Sequence, residues 1–234
     1  EYRPELSTRP ADFMGDIALW DKAEAALKEI LDKRYGKDGY DINEGDGAFY
    51  GPKIDIMMKD ALKRQWQMGT IQLDFQLPRN FDITYIDKDG HEKTPVIIHR
   101  VIYGSLERFI GILIENFKGS FPFWISPVQV GIVPIGENHM EYAKEISSLL
   151  QNEHIRCEAE LSENHMNKKI KYFRNYRVPY VNVLGDKEVE NRTVSINVRG
   201  GKQMKDVPLE AFVELCKKLA ATRALNLIES ENDI

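Results

Sequence analysis

The sequence predicts two units in succession: an α+β unit built on antiparallel strands, then a small α/β unit on a mixed sheet. Three observations predict this. Alternating segments at Lys53–Met58 and Gln65–Gln76, with a turn at Asp87–Gly90, read as antiparallel strands and a hairpin. From Val128 onward, strand-like and helix-like segments follow the order β-α-β-α-β-β-α, which calls for a mixed sheet. Between these halves, Phe121-Pro-Phe-Trp124 and Ser126-Pro127 interrupt both patterns.

Taken in order, Ile17, Trp20, Ala23, Leu27, Ile30 and Leu31 recur at helical spacing, so a helix begins near Gly15-Asp16 and ends before Gly36. Gly45 and Gly47 bracket a tight turn ahead of the Lys53 strand. In the next strand Ile71, Leu73 and Phe75 share one face, and Gln72, Asp74 and Gln76 share the other. Gly69 interrupts it and reads as a bulge. One extra residue there brings Gln67 to the side of Gln72. Phe81–Ile86 and Pro95–Arg100 form the arms of the hairpin. Leu106, Phe109, Ile110, Leu113 and Phe117 define an apolar helix face, with Ser105 as N-cap. In the second unit, strands are expected at 128–133, 155–161, 180–184 and 193–198, and helices near 138–151, 167–176 and 208–225. Gly185-Asp-Lys-Glu188 reads as a turn region, and the polar tail from Glu229 to Ile234 is expected to be mobile.

With 42% hydrophobic and 29% charged residues, the 234-residue chain can bury a core and stay soluble. A net charge of −5 argues against indiscriminate nucleic-acid binding, so any such site must be a local patch. Lys168, Lys169, Lys171, Arg174 and Arg177, interleaved with Tyr172, Phe173 and Tyr176, form the most basic stretch. They read either as an RNA contact, cations on phosphates and aromatics on bases, or as an amphipathic helix with a solvated face. Two distant cysteines, Cys157 and Cys216, offer no disulfide framework and fit a reducing cytosol. No signal peptide or membrane-length apolar run is evident, so a cytoplasmic location is expected. The chain opens on Glu1 without a Met and reads as part of something longer.

Arg108 is the oddly placed residue. A helix N-terminus carries partial positive charge, so a cation in the first turn makes sense if an anion such as phosphate lies between it and the free N–H groups. The alternative is pairing with Glu107 or solvent.

The stretches GAFYGPKIDI (47–56), QMGTIQLDFQLP (67–78) and PVIIHRVIYGSLERFIGIL (95–113) closely resemble the threonyl-tRNA synthetase family, as do LSTRP (6–10), PFWISPVQV (122–130) and VLGDKEVE (183–190). The resemblance covers nearly the whole chain in order. It implies part of a class II synthetase catalytic core over residues 1–122 and an anticodon-binding domain over 123–234. The implied activity is threonine–tRNA ligation, in which ATP with Mg2+ activates threonine and the threonyl group passes to tRNA(Thr). The alternative is a non-catalytic, nucleic-acid-binding paralogue or polymerase accessory subunit.

The resemblance also implies roles for individual residues. Arg108 clamps a terminal ATP phosphate and Ser105 lies in the same pocket; Gln67 and Gln72 face adenosine and ribose; Tyr50 and Lys53 line the threonine and phosphate region. His99 matches a zinc ligand that acts with a Cys and a second His, the zinc taking the amino and hydroxyl groups of threonine. Valine, lacking the hydroxyl, is rejected; serine loses only a methyl, worth roughly 1–3 kcal/mol, so editing elsewhere is expected. Arg108 and His99 are expected to converge on one cavity for nucleotide and metal. Glu188 matches a reader of an anticodon base, and Lys168 and Lys169 fall in the tRNA-facing stretch. Asn197 stands where an Arg is expected, with Arg199 a substitute basic contact, and Met68 stands where a Cys is common. The first two class II signatures are not among the 234 residues. By itself the chain is therefore expected neither to activate threonine nor to hold zinc tightly, and the full-length enzyme is expected to be a homodimer.

Overall fold

The computed structural model describes residues 1–230 and divides the chain into two units, Glu1–Gly111 and the residues from Ile112 onward. The first contains β1 (Tyr2–Ser7), α1 (Ile17–Tyr35), β2 (Asp41–Asn43), β3 (Lys53–Lys59), β4 (Gln65–Asp74), α2 (Leu77–Asn80), β5 (Tyr85–Ile86), β6 (Glu92–Lys93) and β7 (Ile97–Val101); α3 (Leu106–Phe117) begins within it. Its sheet runs in the order β2-β1-β3-β4-β7 and is antiparallel except for the β1–β2 pair.

Period-two alternation gives this sheet two unlike faces. Leu6 lies opposite Ile54, and both pack with Leu27 and Leu31 of α1, while Trp20 and Ala23 of the same helix close on Phe75. Helix α1 starts where Asp16 accepts the Ala18 N–H and stops at Gly36, whose φ is 76°. Of the six residues expected on its buried face, Ile17 and Ile30 are instead exposed, since helical phase puts them at the two margins of the stripe made by Trp20, Ala23, Leu27 and Leu31. The opposite sheet face carries Ser7, Lys53, Asp55, Thr70, Gln72 and His99 at paired positions.

The expected bulge is present. Ile56 pairs with Gly69 but Met57 pairs with Gln67, so Met68 is the extra residue. The hairpin is shorter than expected: only Tyr85–Ile86 pairs with Glu92–Lys93, around a turn closed by Gly90 N–H to Asp87 O. Pro95 lacks an N–H and follows this pairing, and the chain then crosses to β4 as β7. Helix α3 has the expected bounds, but none of its residues is buried, so its apolar face meets no core among the described residues.

The second unit holds β8 (Val130–Pro134), α4 (Met140–Asn152), β9 (Cys157–Ala159), α5 (Met166–Asn175), β10 (Tyr180–Leu184), α6 (Asp186–Asn191), β11 (Thr193–Val198), β12 (Gln203–Pro208) and α7 (Leu209–Thr222). The sheet order is β12-β11-β10-β8-β9, parallel at β10–β8 and β8–β9 and antiparallel elsewhere, hence mixed as expected. Two elements depart from expectation. Gly185–Glu188 opens a helix, α6, rather than a turn, because the Glu188 carboxylate folds back to accept the Gly185 N–H at 2.9 Å. Strand β12 was not anticipated. Phe123, Ile132, Ile146, Tyr180, Phe212 and Leu215 anchor the larger core. On the other sheet face, Phe173 of α5 packs with Val133 and Val181. Residues 231–234 of the tail expected to be mobile lie outside the described residues; Glu229 pairs with Lys202 at 2.9 Å.

Candidate functional sites

The polar face of the first sheet is a connected set of side chains. Gly51 lets the Tyr50 loop press against β4, where any Cβ would stand 1.9 Å from the Leu73 carbonyl oxygen. The Tyr50 hydroxyl donates to Gln72 Oε1 at 2.6 Å, and its ring meets the His99 ring edge-on at 6.2 Å. His99, opposite Gln72 in the β4–β7 pairing, bonds through Nε2 to Asp74 Oδ2 at 2.8 Å. Lys53 Nζ donates to Asp55 at 2.7 Å and to Asp46 at 3.0 Å, and Gln67 Nε2 donates to the other Asp55 oxygen at 2.6 Å. Gln67 reaches Asp55 because the Met68 bulge turns it to this side.

Two carboxylates that sequence reasoning did not single out organise this face. Asp55 is 3% exposed and fixes Lys53 and Gln67; Asp74 is 2% exposed and fixes His99. Burial pushes the Asp74 carboxyl up. The Leu77 amide, the His99 ring and the Gln76 amide outweigh that and hold it below the usual carboxylate range. For Lys53, burial disfavours the charge, but the bonds to Asp55 and Asp46 prevail and raise its pKa. The ammonium is therefore a fixed cation at the sheet surface. Only the alternation of acids and apolar residues on β3 and β4 could have pointed to these carboxylates.

Gly104 adopts a φ of 65°, and a Cβ there would lie 3.3 Å from the Gln67 carbonyl, so the chain turns into α3 directly beside the bulge. Ser105 caps α3 by accepting the Arg108 N–H at 3.2 Å. The Arg108 side chain is exposed and bonds neither Glu107 nor any other described residue. Arg108 and His99 share no bonded partner. No group of three His, Cys, Asp or Glu side chains among the described residues could hold a metal, so His99 offers a single donor.

The second site is a cleft of about 770 Å³ between α5 and the β11–β12 hairpin, lined by Lys171, Arg174, Glu188, Ser195, Asn197, Gln203 and Lys205, among others. A neighbouring hollow of about 640 Å³ shares Arg174 and Asn197 and adds Arg177 and Arg199. The basic stretch divides by helical phase. Lys171 and Arg174 face the cleft; Tyr172 and Tyr176 do not line it, and the Tyr172 hydroxyl donates to Glu158 at 3.0 Å. Phe173 is core. Lys168 is exposed and donates to Asn164. Lys169 corrects the surface expectation: it is 3% exposed and donates to the Pro134 carbonyl at 3.1 Å, because its position, four residues before Phe173, puts it on the inner stripe of α5.

Arg199 donates to the carbonyls of Arg177 and Phe121, each at 2.8 Å, and burial lowers its pKa. It braces the backbone more than it offers charge to a ligand. Glu188 is half-buried and accepts from Gly185 N–H and from Ser195 Oγ at 2.7 Å; burial works against its charge, but these bonds hold its pKa below the usual value. It is an ionised acceptor fixed within a cationic cleft.

Comparison with known proteins places both sites in context. A model of the tRNA synthetase class II core domain (G, H, P, S and T) matches residues 14–117, and an anticodon binding domain model matches residues 129–219. The threonine–tRNA ligase of Thermotoga neapolitana is 50% identical over 97% of this chain and 35% of its own length, and that of Campylobacter lari is 51% identical over 95% and 37%. The chain thus spans about a third of the length of the curated relatives it matches. Among solved structures, the RNA binding domain of threonyl-tRNA synthetase from Cryptosporidium parvum superposes with a TM-score of 0.76 at 39% identity, covering all of this chain and 57% of that one. A threonyl-tRNA synthetase from Aeropyrum pernix gives 0.63 at 26% identity, over 98% and 57%.

Proposed function

Because the chain belongs to the class II aminoacyl-tRNA synthetases, on their threonyl branch, we propose that its full-length protein activates threonine with ATP and Mg2+ and transfers it to tRNA(Thr). In activation the threonine carboxylate oxygen bonds the α-phosphorus as pyrophosphate leaves. The reaction asks for positioning and for neutralisation of phosphate charge. Gln67 and Gln72 supply donors and acceptors to adenosine and ribose. Lys53, pinned by Asp55, meets negative charge without having to find its place, and Tyr50 lines the threonine side. Arg108 and the free amides at the start of α3, capped by Ser105, clamp the terminal phosphate.

His99 fits a zinc site as one ligand. Asp74 holds one ring nitrogen at 2.8 Å and leaves the other for the metal, the usual carboxylate support of a ligating imidazole. When bound, zinc supplies a seat for the amino and hydroxyl groups of threonine; its other ligands come from outside these residues. The anticodon loop occupies the cationic cleft, where Lys171 and Arg174 meet phosphates, Lys168 lies at the exposed approach, and Glu188 accepts from a base.

The observation that carries this reading is the bulge that brings Gln67 to the face of Lys53, Gln72 and His99. A boundary between residues 122 and 123, a homodimeric full-length enzyme and a cytoplasmic location belong to the same proposal. The family models' stop at 117 and start at 129 support the boundary. No helix among the described residues is long and apolar enough to cross a membrane. The test is threonine-dependent pyrophosphate exchange by the full-length protein. Exchange is expected; its absence alongside ordinary tRNA binding would overturn the reading in favour of a non-catalytic RNA-binding paralogue.

A further inference from the structure

We infer that Asp46 is a displaceable counter-anion for Lys53, set to yield its place to an anionic oxygen of the substrate, phosphate or carboxylate. The inference rests on the threonine-activation reading of the polar sheet face and deepens it. Lys53 Nζ is shared by two carboxylates, Asp55 at 2.7 Å and Asp46 at 3.0 Å. One ammonium thus meets two acids, and Glu5, the register partner of Asp55, brings another carboxyl close by. Burial, and then the charges of Asp41, Asp55 and Asp46, hold the Glu5 carboxyl above its ordinary value, which marks the neighbourhood as over-supplied with negative charge. A further anion gains little from an ammonium already neutralised twice, so one carboxylate has to leave before substrate charge can take its place.

The two acids are unequally placed to leave. The Asp55 side chain is 4% exposed and is held by Ser7, Lys53 and Gln67. The Asp46 side chain is 51% exposed, and a single oxygen, Oδ2, takes its bonds from Ser7 at 3.2 Å and from Lys53 at 3.0 Å. Rotation about its Cα–Cβ bond carries that oxygen into water. The backbone need not follow. Gly45 N–H donates to Thr8 Oγ1 at 3.2 Å and Gly47 N–H to the Thr8 carbonyl at 2.7 Å, which ties the chain on either side of Asp46 to the residue after β1. Gly47 allows this approach, since a Cβ there would stand 2.5 Å from the Thr8 oxygen. Asp46 therefore swings from a fixed pivot, while Lys53 stays on Asp55 with one N–H released for the substrate.

The experiment measures threonine-dependent pyrophosphate exchange by the full-length protein, with KM determined separately for ATP and for threonine. Asp46→Asn should lower the KM of the substrate whose oxygen replaces it by roughly threefold, the scale of a half-exposed ion pair. Its kcat should be unchanged, because ground and transition states gain alike. A fall in the ATP value assigns the oxygen to phosphate, one in the threonine value to carboxylate, and one in both to a place they share. The gain should shrink as salt is raised. Glu44→Gln removes an exposed charge two residues away and should leave both values unchanged. A merely structural role, in which Asp46 holds Lys53 in place, requires the opposite sign, a raised KM. Unchanged or raised values for both substrates in Asp46→Asn, or an equal fall in Glu44→Gln, overturn the inference while leaving the activation reading intact. No exchange by the parent protein overturns that reading and the inference with it.

Discussion

Replacing Asp74 tests whether a buried carboxylate organises the polar sheet face. One of its oxygens accepts the Gln76 and Leu77 amides at 2.8 and 2.9 Å, serving the start of α2; the other holds His99 at 2.8 Å. Each capped amide contributes about 1 kcal/mol, and the pair with half-exposed His99 about 0.5 kcal/mol. Asp74→Ala should therefore cost about 2 kcal/mol once the relief of not burying a carboxylate is allowed for. Asp74→Asn keeps an acceptor for both amides and should cost less than about 1 kcal/mol. Urea unfolding followed by tryptophan fluorescence reads this, since Trp20 and Trp66 lie in the same unit. With a slope of about 1–3 kcal/mol per molar, the alanine variant should lose roughly 1 M in midpoint. Because the folded carboxyl titrates below its ordinary value, its contribution is complete above about pH 4 and drains as the pH falls through the lower folded pKa. The gap between parent and Asp74→Asn should thus be flat at neutral pH and close on acidification. Equal costs for Ala and Asn, or a midpoint shift under about 0.3 M for Ala, would refute the argument.

Three further outcomes are expected. The Asp60 carboxyl, held by the Trp66 indole and by the Arg64 and Leu62 amides, should titrate at about 2 by carboxyl NMR, so the 60–66 turn keeps this support above the ordinary aspartate pKa and loses it as pH falls through about 2; a midpoint at the ordinary value would be contrary. Gly131→Ala places a Cβ 2.6 Å from the Phe173 ring and should destabilise the second unit by about 1–3 kcal/mol in thermal unfolding, with partial recovery in the Phe173→Leu background; a neutral effect would contradict the tight β8–α5 packing. In the full-length protein, Arg108→Ala should raise the KM for ATP at least tenfold with tRNA affinity unchanged, and equal effects on both would remove its assigned role.

The sequence made the two units, the bulge and the α3 start legible because each has a local cause: alternation, a Gly within a strand, and a Ser at helical phase zero. What it hid has non-local causes. β12 escaped because Met204 and Val207 face inward three residues apart, the alternation broken at Asp206, whose φ is 52°, and by a register shift between Val194 and Ile196. Helix α6 escaped because Gly185 has no side chain to mark an N-cap, and the bond that starts the helix, Glu188 accepting the Gly185 N–H, is only half of a capping box. Lys169 looked like a surface cation because charge is read before helical phase, and the Pro134 carbonyl that receives it belongs to another strand. The carboxylates Asp55 and Asp74 were present in the strand pattern, but which neighbours they would grip depended on pairing across β3, β4 and β7.

The extra residue in β4 has a consequence for how this strand tolerates change in length. On either side of Met68 the odd and even positions exchange faces, so the strand behaves as two rulers joined half a division out of step. Losing Met68 would restore a uniform ladder and at the same stroke turn Gln67 away from Asp55, leaving the carboxylate with two tenants, Lys53 and Ser7, instead of three. A lineage that keeps this surface must therefore keep the irregularity, and the defect in the ladder is the part of the strand least free to be repaired.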